Sequence, residues 1–194
     1  ENVLGMDFRP ANGLLYALTS NARLLTVNPD TGTGTVVATL AADTTDTTAP
    51  FTALVGTTFS VDFNPVPDRL RVISDLGQSL RINVATGATI TDGTINRAVP
   101  ASVVGAAYAN NFAGTTTTTL YDVDALADVL AIQNPPNDGT LVNVGALGLD
   151  VTGSSAIDIA GGDNGLALGA FRAGLTGPYS LYNINLATGA ATLR

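Results

Sequence analysis

Cysteine, histidine, lysine and tryptophan are all missing from this chain of 194 residues, and Glu1 is the only glutamate among its sixteen acids. Without cysteine there is no disulfide framework, no thiolate nucleophile and no zinc site of the Cys type, and the redox compartment is left undefined. Without histidine, Ser–His–Asp and Cys–His catalysis, His-bound metals and zinc-activated water are excluded. Without lysine, Schiff-base chemistry and the GxxxxGK phosphate loop fall away. Tryptophan is the usual platform for stacking sugar rings, so its absence weighs against a carbohydrate site. No window approaches about eighteen apolar residues, and "ENVLG" opens the chain without a charged leader or cleavage site. No membrane span or signal is expected in this numbering. Glu1 and Asn2 run straight into a strand pattern, which reads as a processed or partial chain.

What is present points to strands joined by tight turns. The chain is 45% hydrophobic and 12% charged, with 21 glycines and nine prolines. It is rich in threonine and valine, which suit the pleated sheet, and poor in helix formers. A chain of this length buries roughly 70% of its unfolded surface, enough for a proper core. The net charge of −8 and pI near 4.1 repel nucleic acid and anionic membrane, so neither is an expected partner. All eight basic residues are arginine, suited to short pairs and bidentate contacts.

Internal repetition organises the sequence. "LGMDFRPANGLLYALTS" and "SVDFNPVPDRLRVIS" align with aspartate, aromatic and proline in register. Four units follow one another: Val3 to about Leu40, Phe59 to about Thr91, Val103 to about Gly145, and Ser155 to Arg194. Each reads as about four strands at a period of roughly 40 to 50 residues, the spacing of propeller blades. The expected fold is therefore all-β, a single β-propeller over residues 1–194 built of four-stranded antiparallel blades. "NPDTGTGTV", "NVATGATI" and "NLATGAATL" place Gly32, Gly87 and Gly189 in hairpins between the outer strands of three units. There glycine supplies positive φ.

Three segments in this order, "DFRPANGLLYAL", "DFNPVPDRLRVISDLGQSLRIN" and "LYDVDALADVLAIQNPPNDGTLVNVGALG", resemble a bacterial family of unknown function found in exported proteins. The resemblance covers nearly the whole chain. It implies a propeller-like fold and export to the cell envelope or outside the cell, and it implies no activity. That family usually carries a further strand pair before the "DFRP" segment. Its absence here leaves two expectations, a four-bladed ring or a five-bladed one with an incomplete first blade.

The chemistry that remains is carboxylate chemistry or oxygen-ligated calcium. Asp7, Asp62 and Asp158 occupy one repeat position, with Tyr108 in that place in the third unit. If the first strand of each unit is innermost, the three carboxylates converge on the axis, as a cation or substrate site or as caps of the turns that follow them. Arg9, Arg71 and Arg81 are expected to pair with Asp7, Asp62 or Asp75 between strands. "DVDALAD" offers Asp122, Asp124 and Asp128 as a second calcium candidate, a loop that lacks the glycine and terminal glutamate of an EF-hand. The segments at 41–50 and 160–167 read as surface loops, and Thr115 to Thr119 as a strand or a loop entering one. Asn134, Pro135, Pro136 and Asn137 read as an exposed, proline-rich hairpin of the kind that contacts a partner. No cofactor is called for, and calcium is the ion that an oxygen-only donor set suits. The expected function is a non-catalytic exported or cell-surface scaffold, an accessory subunit that binds protein or assembles with itself. The alternative is a glycan-binding or glycan-active domain using the axial acids.

Overall fold

The computed structural model describes residues 1–153, 155–162, 165–172, 174 and 176–194. Alternating strand patterns and tight turns produce four antiparallel meanders. The first blade comprises β1 (Val3–Phe8), β2 (Leu15–Thr19), β3 (Arg23–Val27) and β4 (Gly34–Thr39). A short β5 (Ala41–Ala42) precedes the second blade of β6 (Phe59–Asn64), β7 (Arg69–Ser74), β8 (Ser79–Ile82) and β9 (Ala88–Thr91). The third holds β10 (Val103–Tyr108), β11 (Leu120–Asp124), β12 (Val129–Gln133) and β13 (Leu141–Ala146). The fourth holds β14 (Ala156–Ile159), β15 (Ala167–Arg172), β16 (Tyr179–Ile184) and β17 (Ala191–Leu193). The arrangement is a four-bladed β-propeller. Among the described residues the only helical element is a 3-10 turn at Pro136–Asp138, and no helix is long and apolar enough to cross a membrane.

The first strand of every blade lines the axis. A cavity of about 330 Å³ is bounded by Gly5, Ser60, Gly105 and Ile157 from those four strands. Crowding there requires small residues, since a Cβ on Gly5 would strike Val61 at 2.5 Å. The three outer hairpins share one chemistry. The N–H groups of Gly32, Gly87 and Gly189 reach the C=O of Asn28, Asn83 and Asn185, each at 2.8 Å, with positive φ of 70°, 76° and 81°. The asparagine side chains accept further N–H groups from their own turns.

The linker after the first blade differs from a simple surface loop. Ala41 and Ala42 add a parallel fifth strand to the outer edge of the second blade, and Asp46 Oδ2 accepts the Thr91 N–H at 2.9 Å. This covers main-chain groups that an open edge would leave unpaired. In the other loop, Asp163 and Asn164 lie outside the described residues. Thr115 to Thr119 form the loop that leads into β11.

The apolar core lies between blades, in three clusters. Tyr16, Leu18 and Leu24 of the first blade pack on Phe63, Leu70 and Ile82 of the second, with the Tyr16 and Phe63 rings edge to face at 5.4 Å. Ile73 meets Tyr108, Leu120 and Ala131 between the second and third. Val123 and Leu130 meet Ile157, Phe171 and Ile184 between the third and fourth.

Candidate functional site

Antiparallel register fixes which side chains reach the axis. Asp7 pairs with Tyr16, Asp62 with Arg71 and Asp158 with Leu168, so these aspartates share one position. In the third blade that position belongs to Ala107, opposite Tyr121, and Tyr108 is one residue further on. The repeat alignment that put Tyr108 there was off by one, because the sequence lacks a charged residue to anchor it. A cavity of about 400 Å³ brings Asp7, Asp62 and Asp158 together near the end of the inner strands.

Asp7 and Asp62 reach beyond the turns that follow them. Asp7 Oδ2 accepts the N–H of Phe63 at 2.7 Å, and Asp62 Oδ1 accepts the N–H of Tyr108 at 3.0 Å. Each carboxylate thus reaches across to the inner strand of the next blade and ties the two together. Alanine at 107 breaks the series at the third joint. Asp158 is exposed, and its carboxylate accepts no hydrogen bond among the described residues.

Burial sets the electrostatics of this ring. It pushes the Asp7 carboxyl up to about 7 against the opposing Phe63 N–H, and the Asp158 charge adds to the push. Asp62 is driven well above the carboxylate range by burial first and then by Asp7 and Asp158. Among the described residues no three carboxylates are arranged to hold a metal ion.

A second polar cluster is buried between the second and third blades. Arg71, which is 1% exposed, donates to Tyr108 Oη at 3.2 Å, Ser79 Oγ at 3.0 Å, Asp92 Oδ2 at 2.5 Å and Asn137 Oδ1 at 2.8 Å. Arg81 grips both oxygens of Asp92, at 2.7 and 2.8 Å. Arg9 makes a bidentate pair with Asp68. The partners of these arginines are therefore Asp92, just after β9, and Asp68, in the turn after β6, instead of Asp7, Asp62 or Asp75. Asp75 instead accepts from Thr57 and Thr58.

The "DVDALAD" residues do not form one loop. Asp122 and Asp124 are in β11, fully buried, and only Asp128 is in the turn, where its Oδ1 accepts the Val151 N–H at 2.8 Å. Asp124 pairs with Arg97 and accepts the N–H groups of Ser102 and Leu126. Both oxygens of Asp122 are buried without a partner. Burial lifts this carboxyl to about 8, against the pull of Arg71 and with help from Asp124. Sequence reasoning misjudged Asp122 and missed Asp92. The alternation in "LYDVD" was the available signal that Asp122 sits on a strand face.

The proline hairpin is only partly free. Asn134, Pro135 and Asn137 are exposed and the Asn134–Pro135 peptide is cis. The Asn137 C=O accepts the Gly93 N–H at 2.9 Å, and Asn96 bridges to Thr140, so the hairpin is fastened to the segment after β9.

Fold and site together define a small, acidic β-propeller in which Asp7, Asp62 and Arg71 bond from one blade to the next. Its whole length, residues 1–194, matches the domain of unknown function DUF4394, and the chain belongs to that family. No curated protein matches it.

Proposed function

We propose that this propeller is a non-catalytic scaffold or accessory subunit, exported to the cell envelope or beyond, that binds protein or assembles with itself. The observation that carries this reading is the use to which the ionisable residues are put. Asp7 and Asp62 bond the next blade, and Arg9, Arg71, Arg81 and Arg97 are all engaged by aspartates. A general acid or base must reach a substrate proton, and these groups are committed to backbone or to each other. The low pI fits a chain that stays clear of nucleic acid.

The second reading, a glycan-binding or glycan-active domain, draws on the 400 Å³ axial cavity, where Asp7, Asp62 and Asp158 meet the apolar Met6 and Phe8. A glycan array run beside a pull-down from the native envelope separates the two. A specific protein partner and a blank array are expected. Sugar binding that is lost in Asp62→Asn would overturn the scaffold reading. Calcium at the axis or at Asp122, Asp124 and Asp128 is tested by melting with added calcium, which would raise Tm if an ion binds only the folded state.

A further inference from the structure

Three of the four joints around the ring are filled and the fourth is open. Register places Met6 opposite Ala17, Leu25 and Val36 in turn, on the face of the first blade that points away from the second. Phe8 shares that face by alternation. On the fourth blade Ala170 lies opposite Leu181, and Tyr179 falls two residues before it, on the face turned away from the third. Among the described residues no buried apolar cluster joins these two faces. Met6 is 53% exposed, Phe8 52%, Tyr179 54% and Leu181 44%. The two faces flank one opening, since Phe8 and Leu15 from one and Leu168 and Ala170 from the other line the same cavity.

The nature of the missing cover follows from the other joints. Each comparable face elsewhere in the ring is covered by an antiparallel sheet. Asp158 faces the opening at the position from which Asp7 and Asp62 each accept a main-chain N–H of the neighbouring inner strand. A helix keeps its interior N–H groups for its own ladder and has none to offer sideways. A second copy of this chain does not fit either: among the described residues its second and third blades are covered on both faces and its first and fourth on one, which leaves no sheet with two free faces. We infer that the opening between the fourth and first blades seats a fifth antiparallel sheet from a partner, apolar on both faces, whose inner strand lies beside β14 and donates a main-chain N–H to Asp158. This rests on the scaffold reading and names the kind of partner it takes.

The absence of cysteine makes the test direct. Phe8→Cys and Leu181→Cys report on the two walls, and Leu76→Cys, at a position 66% exposed outside the opening, is the control. The probe is a blade of known structure, residues 1–42, 57–92 or 101–148 of this same chain, tethered ahead of Glu1 by a flexible linker. At least one tethered blade is expected to slow maleimide labelling at both walls by tenfold or more, leave the control unchanged, and lose most of that protection in Asp158→Ala. Unchanged labelling with all three tethers would sink the proposal, as would a dimer that Leu181→Asp abolishes, which would make the opening a contact between copies. A spin-label distance keeps the idea testable if the tethered chains fail to fold. Two sheet-to-sheet spacings put the wall backbones about 20 Å apart in the unextended chain, whereas about 10 Å would mean that the walls close on each other and leave no seat. A failed tether with a partner still captured at the envelope removes the fifth sheet alone, and sugar binding on the array removes the scaffold reading alone.

Discussion

The joint between the second and third blades and the opening between the fourth and the first use the same strand positions and have opposite characters. Asp62 and Asp158 are equivalent, and so are Tyr108 and Phe8, each in the last pair of its inner strand. At the closed joint Asp62 and Tyr108 are buried and bonded, and Tyr108 accepts from the buried Arg71. At the opening Asp158 and Phe8 are exposed, amid apolar neighbours. Polarity is buried at one and apolar surface is bare at the other. The lesson is that a neighbouring sheet, more than residue type, decides what is interior in a propeller. A polar joint is tolerated where every group but a few finds a partner, and an apolar face stays wet where no sheet covers it.

The sharpest way to break the comparison is at Arg71. Arg71→Met should destabilise the fold by about 3–5 kcal/mol in urea unfolding, because Ser79, Asn137 and Tyr108 lose their donor and Asp92 keeps Arg81 alone. A loss below about 1 kcal/mol would mean that the joint is not held by this cluster. Phe63→Ala against Phe8→Ala compares one register position under cover and in the open. The first removes a side chain with no exposure and should cost about 3–5 kcal/mol. The second should stay within about 0.5 kcal/mol. Equal losses would show that the opening is closed in solution.

A pH titration of stability sharpens the contrast from the polar side. The Asp122 carboxyl sits near 8 in the fold, against 3.8 for the ordinary group, so the folded state retains a proton that the unfolded chain gives up. The stability tied to that proton is full below about pH 4 and is lost as pH rises through 8. Asp122→Asn removes the dependence, so its advantage over the parent should grow by up to about 1.4 kcal/mol per pH unit within that window. Parallel curves would show that Asp122 ionises freely in the fold. The smallest effect is expected from Asp158→Ala, within about 0.5 kcal/mol, whereas Asp62→Ala should cost about 1–3 kcal/mol by leaving the Tyr108 N–H unpaired. Matching losses would place Asp158 in a bond like that of Asp62.

Much of the architecture was legible because it repeats. Turn chemistry at Gly32, Gly87 and Gly189 and the paired "DF" segments carry local signals that need no partner, and from them come four meanders and an inner strand in each. The convergence of Asp7, Asp62 and Asp158 was legible for the same reason. What those carboxylates bond was not, since the N–H donor belongs to an inner strand some 50 residues away in sequence. The same holds for Arg71, whose partners Asp92, just after β9, and Asn137, in the turn before β13, are 21 and 66 residues away in sequence. Asp122 was misplaced because an acidic run resembles a loop, and only the sheet showed one of its carboxylates shut in beside Arg71.

By itself the sequence determined the all-β class, the four units, their turn residues and the chemistries that the absent residues exclude, because strand alternation and positive-φ turns are properties of neighbouring residues. Only the tertiary structure decided which faces meet. It tied Asp7 to the second blade and Asp62 to the third, enclosed Arg71 and Asp122, and left Asp158 and Phe8 on either side of an open joint. Burial and bonding across a joint belong to two sheets at once, and no stretch of one strand encodes what will stand opposite it.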